Sequence, residues 1–208
     1  MKHLHERLNL SKNIQIALML NLAIFICEII GIIIRFHTKG SLGIEYYTMD
    51  SNLLTLVASA ILIFYIVTHK HIPKWLSLLR YTATTMLSVT FLVVVLILAP
   101  MLEHGYTILL LTDQMLYNHL ICPILSFISF VFFEEHPFKL RDINWPIGVT
   151  ILYAIILVAL NLCHVVDGPY PFLQVYDHSV LVTLCWTILI LGGTTGISYG
   201  LLRLRRLK

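Results

Sequence analysis

Apolar residues in this chain do not alternate with polar ones; they run on in long stretches. Six of these, 14–34, 46–68, 78–99, 116–133, 147–165 and 179–202, come near the ~20 apolar residues a helix needs to cross the hydrocarbon core of a bilayer. The connections are short, too short to hold a soluble domain. The pattern therefore predicts an all-α, polytopic membrane protein, a single domain over 1–208 with six transmembrane helices. Composition agrees: 58% of the 208 residues are hydrophobic and 12% charged, with a mean hydropathy of +0.86. No small-residue cleavage site follows the first stretch, so it reads as a retained signal anchor. Neither an internal repeat nor a low-complexity tract interrupts the chain.

Charge orients the predicted bundle. Lys2, Arg7 and Lys12 precede the first stretch; Lys70, Lys74 and Arg80 fall between the second and third, Lys139 and Arg141 between the fourth and fifth. Arg203, Arg205, Arg206 and Lys208 end the chain. Of the 14 lysines and arginines only Arg35 and Lys39 fall on the other side, so the positive-inside rule places both termini in the cytoplasm. The net charge of +3 then reads as a collar on acidic headgroups, without the interleaved aromatics of a nucleic-acid surface. Cys27, Cys122, Cys163 and Cys185 all fall inside predicted spans, which leaves no extracellular pair for a disulfide.

Polar residues gather near one level of the bundle. At ~100° per residue, Thr48, Ser51, Asn52, Thr55 and Ser59 form one stripe on the second predicted helix, and Asp50 points nearly the opposite way. Such a stripe either glues helices together or lines a cavity, and gluing is the commoner use. His119 is the one histidine well inside a predicted span, with Cys122 and Ser126 continuing its face. Pro123 has no N–H for the carbonyl of His119, so the fourth helix should kink there. Thr48 and His119 lie at similar depth in the outer third of the membrane, and Glu28, Asp113, Tyr117 and Asn118 sit near that level. The inner halves of the helices look almost bare by comparison. This asymmetry suggests a site opening toward the outer leaflet.

A threonine hydroxyl becomes a nucleophile when a base takes its proton, and neutral histidine is the usual base near neutral pH. Thr48 and His119 supply that pair. Asp113, Asp50 or the deeper Glu28 would orient the imidazole, and Asn52 or Asn118 would hold an oxyanion. Ser51 and Cys122 are rival nucleophiles, although a buried cysteine usually serves as a small hydrophobe and a lone buried histidine usually as a structural hydrogen-bonder.

The motifs "YYTMDSNLLT", "LRYTATTMLSVTFLVVVL", "LYNHLICPIL", "INWP" and "GPYPFL" together resemble the bacterial branch of the androgen-induced / androgen-dependent TFPI-regulating protein family of six-helix membrane proteins. The resemblance covers the second to the sixth helix. It implies an intramembrane threonine hydrolase of a bacterial plasma membrane, since the family's animal members cleave fatty acid esters of hydroxy fatty acids with a threonine early in the second helix and a histidine in the fourth. By motif these are Thr48 and His119. It implies a lipid ester substrate and no cofactor. The chain departs from animal members in showing one histidine where they can show two, and in the polar Asp50, Ser51 and Asn52 after the threonine. A more distant resemblance, to cysteine/histidine membrane acyltransferases, keeps Cys122 in view. A non-catalytic lipid-binding or transport protein is the alternative from another class.

Other motifs carry less. Haem needs facing histidines, which His119 lacks; "HKH" at 69–71 has no specific metal spacing, and no metal site is expected. His3, His5 and His136 read as interface residues. "FEEHPFKLR" resembles the paired-glutamate motif of CAAX-type membrane proteases, but reads as a charged cytoplasmic turn. Gly192, Gly196 and Gly200 stand four apart on the sixth helix and suggest close packing, inside the bundle or across a homodimer. In "DGPYPF" the turn signature places Asp167 and Tyr170 at the outer interface, as secondary site candidates.

Overall fold

A computed structural model describes residues 11–206 apart from 136, 171–172 and 178. The readings made for Lys2, His3, His5, Arg7, His136, Pro171, Phe172 and Lys208 lie outside these residues. Six helices are long and apolar enough to cross a membrane: α1 Lys12–Lys39, α2 Tyr47–Val67, α3 Lys74–Met101, α4 Asp113–Phe133, α5 Leu140–Leu162 and α6 Val180–Arg206. The protein is thus an all-α integral membrane protein. Predicted and observed spans agree in number and order. The main shift is in the fifth, which starts seven residues earlier, with a 3₁₀ lead-in at Leu140–Ile143, and ends before Cys163. Cys163 therefore stands exposed beyond the span rather than inside it, and all four cysteines are free.

Helix α3 lies at the centre. Nearly its whole circumference is buried between Leu76 and Thr90, with α2 and α4 against it on one side and α5 and α6 on the other. Helix α1 closes the bundle against α2 and α4. Both described ends of the chain lie at one end of this bundle, where Asn13 donates to Glu135 and Lys74 pairs with Asp142. The connections 40–46, 102–112 and 163–179 meet at the other end, called here the site end.

Several local choices fix these elements. Ser11 caps α1, its hydroxyl accepting from the Ile14 N–H, and Gly40 ends the helix in the left-handed conformation at φ 68°. Helix α2 has no side-chain cap of its own. Two tyrosines from elsewhere do the work: the phenol oxygen of Tyr153 accepts from the Tyr47 N–H at 2.9 Å, and that of Tyr170 from the Thr48 N–H at 3.3 Å. Tyr153 passes its own proton to the Glu45 carbonyl at 2.9 Å. The start of α2 is thereby tied to α5 and to the 163–179 connection.

Helices α3 and α4 each contain a π-helical turn just before a proline. In α4 the turn spans Leu116–Ile121, and the Cys122 N–H reaches back five residues to the Tyr117 carbonyl. The Asn118 carbonyl then loses its α-helical donor to Tyr117, while its π-helical donor is Pro123, which has none. The amide of Asn52 fills the vacancy at 3.3 Å. Helix α3 repeats the device. Its turn spans Val94–Leu98, the Ala99 N–H bonds the Val94 carbonyl, and Pro100 leaves the Val95 carbonyl to the Tyr106 hydroxyl at 3.2 Å. The carbonyl that Asn52 rescues is thus that of Asn118.

The inner halves of the helices are not bare. Arg80, expected in the connection before α3, is 1% exposed, because α3 starts at Lys74 and carries it two turns inward. Glu134, expected in a charged turn, faces it with Nη2 to Oε1 at 2.8 Å, and Nε reaches both carboxylate oxygens at 3.3 Å. Ser59 accepts from Arg80 Nη1 at 3.2 Å, while Ser129 and Asn21 donate to Glu134 at 2.8 and 3.3 Å. Burial pushes the Glu134 carboxyl upward, but Arg80, Ser129 and Asn21 outweigh it and hold the group below its ordinary value. Arg205 also turns inward, donating to the Phe130 and Glu134 carbonyls with its guanidinium over the rings of Phe130 and Phe138.

The glycines of α6 do not pack within the bundle. A Cβ added at Gly192, Gly196 or Gly200 would meet no atom within 4 Å, so the expectation of close intramolecular approach there does not hold.

Candidate active site

Thr48 is the second residue of α2, held at the helix N-terminus by the phenolic cap described above. Its hydroxyl lies 3.3 Å from His119 Nε2. The other ring nitrogen, Nδ1, lies 2.7 Å from the carbonyl of Leu109, in the short helix Gly105–Leu111 that folds over the site end. A carbonyl only accepts, so Nδ1 carries the proton, and in the neutral ring Nε2 presents its lone pair to the Thr48 hydroxyl. The arrangement therefore has a base aimed at a hydroxyl, with its tautomer set from behind by a backbone carbonyl. Both side chains are buried, at 9% and 6% exposure.

Tyr170 completes the group. Its hydroxyl is 3.3 Å from Thr48 Oγ1 as well as from the Thr48 N–H. Since Oγ1 gives its own hydrogen to His119, Tyr170 donates to it. Burial pushes the Tyr170 phenol above its ordinary range, so it keeps that proton at neutral pH.

The carboxylates proposed to orient the imidazole are not the groups that do so. Asp113 is exposed at the start of α4, in a left-handed conformation at φ 43°, and its side chain makes no hydrogen bond to the described residues. Asp50 is half-buried and likewise makes none, and Asp167 is exposed. Glu28 is wholly buried against the Cys122 thiol, one helical turn below His119, and does not reach the imidazole. Leu109 had no signal in the sequence, because a backbone acceptor has none.

The polar stripe of α2 divides. Thr48 faces a cavity, whereas Ser51, Asn52 and Thr55 are buried and turn back on the chain: Ser51 Oγ and Asn52 Nδ2 donate to the Thr48 carbonyl at 2.8 and 2.7 Å, and Thr55 to the Ser51 carbonyl. Ser51 Oγ also lies 3.3 Å from Thr90 Oγ1, and no base reaches it. His119 does not serve Cys122, since both its ring nitrogens are engaged elsewhere, and the group beside that thiol is Glu28. Asn118 lies against the cavity with its amide on the weak acceptor Met49 Sδ at 3.3 Å. Asn52 is committed to two carbonyls and leaves its own Oδ1 without a partner.

Two spaces meet at Thr48 and Tyr170. A cavity of about 690 Å³ at the site end is lined by Arg35, Lys39, Glu45, Asn118 and His119 among others. A narrower, apolar slot of about 70 Å³ runs between α3, α5 and α6 past Val89, Val93, Leu98, Trp186 and Ile190. The larger space falls within the range of sites that enclose small organic ligands, ~300–1,000 Å³. Among the described residues no group of three or more His, Cys, Asp or Glu is placed to hold a metal ion. No protein-family model, no curated protein and no solved structure matches the chain.

Proposed function

We propose that this protein is an intramembrane hydrolase of lipid esters, with Thr48 as nucleophile and His119 as general base and acid. The observation that carries the reading is the buried line Leu109 carbonyl to His119 to Thr48, in which a neutral imidazole is fixed in the one tautomer that can deprotonate the hydroxyl. In the first half-reaction Thr48 Oγ1 attacks the ester carbonyl as its proton passes to His119 Nε2. The tetrahedral oxyanion takes a hydrogen bond from Tyr170, with the Asn118 amide beside it in the cavity. Collapse breaks the ester C–O bond, and His119 returns the proton to the departing alcohol. In the second half-reaction His119 takes a proton from water as it attacks the acyl-threonine, and the fatty acid leaves with Thr48 restored. These steps need no cofactor.

The 3.3 Å separation is at the long end of hydrogen bonding and fits a site that tightens on substrate. The junction of an apolar slot with a polar cavity at Thr48 suits an ester with one acyl chain in the slot. Fatty acid esters of hydroxy fatty acids, the substrates implied by the resemblance, have this form. The distribution of Lys and Arg supports both termini in the cytoplasm, which opens the site toward the outer leaflet of a bacterial plasma membrane.

The test is hydrolysis of such an ester by purified protein in detergent, beside Thr48→Ala and His119→Ala. Turnover by the parent, lost in both variants at unchanged thermal stability, supports the pair. A parent inert to lipid esters and unlabelled at Thr48 by an ester-reactive fluorophosphonate probe overturns it, and leaves a lipid-binding protein built on the same cavity.

A further inference from the structure

Arg35 is a buried cation without an anion. It lies near the end of α1 at 9% exposure and lines the cavity that contains Thr48 and His119. Its Nε donates to the Leu42 carbonyl at 2.6 Å, and its guanidinium sits over the Tyr46 ring at 5.3 Å from the centroid. Gly43, at φ 68°, packs on the guanidinium so closely that a Cβ there would collide with it. These contacts fix the side chain without neutralising it. No described carboxylate lies within ion-pairing distance, including Glu45 of the same cavity wall, and Nη1 and Nη2 make no hydrogen bond to the described residues. The contrast with Arg80 is direct: that arginine, 1% exposed, has its carboxylate at 2.8 Å.

A guanidinium fixed in the cavity wall, with its terminal nitrogens unused by the described residues, is free to take a ligand. A planar, two-pronged donor suits a carboxylate or a phosphate. Arg35 is also joined to the reaction centre through aromatic rings: Tyr46 beneath it meets Tyr170 edge to face at 6.0 Å, and Tyr170 touches Thr48.

We propose that Arg35 is the anion-binding residue of the cavity, and that the ligand is a lipid carrying a carboxylate or phosphate on the cavity side, opposite the chain held in the apolar slot. This rests on the hydrolase reading for its placement of the ester, but not for the anion site itself. Lys39, on the same wall, adds positive potential, while Glu45 keeps the rim from binding anions indiscriminately.

The test uses the palmitate ester of hydroxystearic acid as the free acid and as its methyl ester, with the purified full-length protein in detergent. The free acid should be hydrolysed with ~10- to 100-fold higher kcat/KM, the fold expected for a paired hydrogen bond to a charged group. Arg35→Gln should abolish that preference through KM, with an unchanged Tm showing that the variant folds; Arg35→Lys should keep part of it. Equal rates on both esters in the parent would overturn the anion site and leave the hydrolase intact. If neither ester is hydrolysed, displacement of a bound fluorescent fatty acid by laurate decides: Arg35-dependent displacement supports the site without the hydrolase, and displacement indifferent to Arg35→Gln or to laurate methyl ester overturns it. Dodecyl phosphate displacing as well as laurate would extend the ligand to phosphate-bearing lipids, and failing to do so would restrict it to carboxylates.

Discussion

Breaking the Arg80–Glu134 pair should be the most damaging polar substitution in the bundle. Arg80 is 1% exposed and Glu134 6%, joined by one contact at 2.8 Å and two at 3.3 Å, and the carboxylate also accepts from Ser129 and Asn21. Glu134→Gln leaves a guanidinium stranded among Ser59, Asn21 and apolar side chains. Removing one partner of a buried pair typically costs about 3–5 kcal/mol, which corresponds to a Tm lowered by roughly 10 °C for a chain of this size. Arg80→Met should cost a similar amount, since it strands the carboxylate. The double variant Arg80→Met/Glu134→Leu removes both charges and should recover most of the loss, giving a coupling of about 2 kcal/mol or more between the sites. The pH dependence has a defined sign. Because the Glu134 carboxyl is held below its ordinary value in the folded protein, its contribution is fully present above the ordinary carboxylate range and disappears as pH falls through its lower folded value. The parent should thus hold its Tm down to acid conditions under which unpaired carboxylates are already protonated. Thermal unfolding in one detergent, over pH and across the three variants, measures all of this. Additive losses in the double variant, or a cost below about 1 kcal/mol for Glu134→Gln, would refute the account of a mutually dependent buried pair.

Four further outcomes are expected. Tyr170→Phe removes the donor to Thr48 Oγ1 and should lower kcat by ~100-fold, the lower end of the range for losing one oxyanion donor, with Tm changed by only a few degrees; equal activity would remove Tyr170 from the reaction. Gly105→Ala places a Cβ into the Ala99 backbone and must displace the short helix carrying Leu109, so esterase activity should fall more steeply than stability, as paired rate and melting measurements would show. Cys122→Ala should retain hydrolysis within about threefold, because His119 is engaged with Thr48 and Leu109 and not with that thiol; loss of activity at unchanged Tm would favour the cysteine/histidine alternative. Glu103→Cys, in a cysteine-free background, should be labelled by a membrane-impermeant maleimide in intact cells if the site end faces outward; labelling only after lysis would invert the proposed topology.

The spans were legible because the bilayer demands a length of apolar residues and the chain supplies it six times over. Arg80 and Glu134 were misread for a related reason. A count of positive charges registers where cations cluster along the chain, not which way a helix turns them, and moving the start of α3 four residues earlier carried Arg80 from the interface into the core. The depth of Thr48 and His119 follows from helical rise, which is enough to pair the two. What orients His119 does not follow from it, since the Leu109 carbonyl comes from a connection whose path no periodicity specifies.

Pro123 shows most clearly how local chemistry shapes the site. At α-helical spacing it leaves the His119 carbonyl without a donor, and the π turn before it leaves the Asn118 carbonyl without one as well and brings in Asn52 to fill it. One extra residue in that turn rotates everything beyond it by ~100° relative to an unbroken helix. Asn118 and His119 can then face α2 while Cys122 and Ser126, on the far side of the turn, face Glu28 and Thr84. The same amide that rescues the Asn118 carbonyl also bonds the carbonyl of Thr48, so the break in α4 and the start of α2 share a single side chain. Asn52 thereby sets the spacing between the two helices that bear the hydroxyl and the imidazole. Its place in the polar stripe is explained by that bond rather than by contact with a ligand.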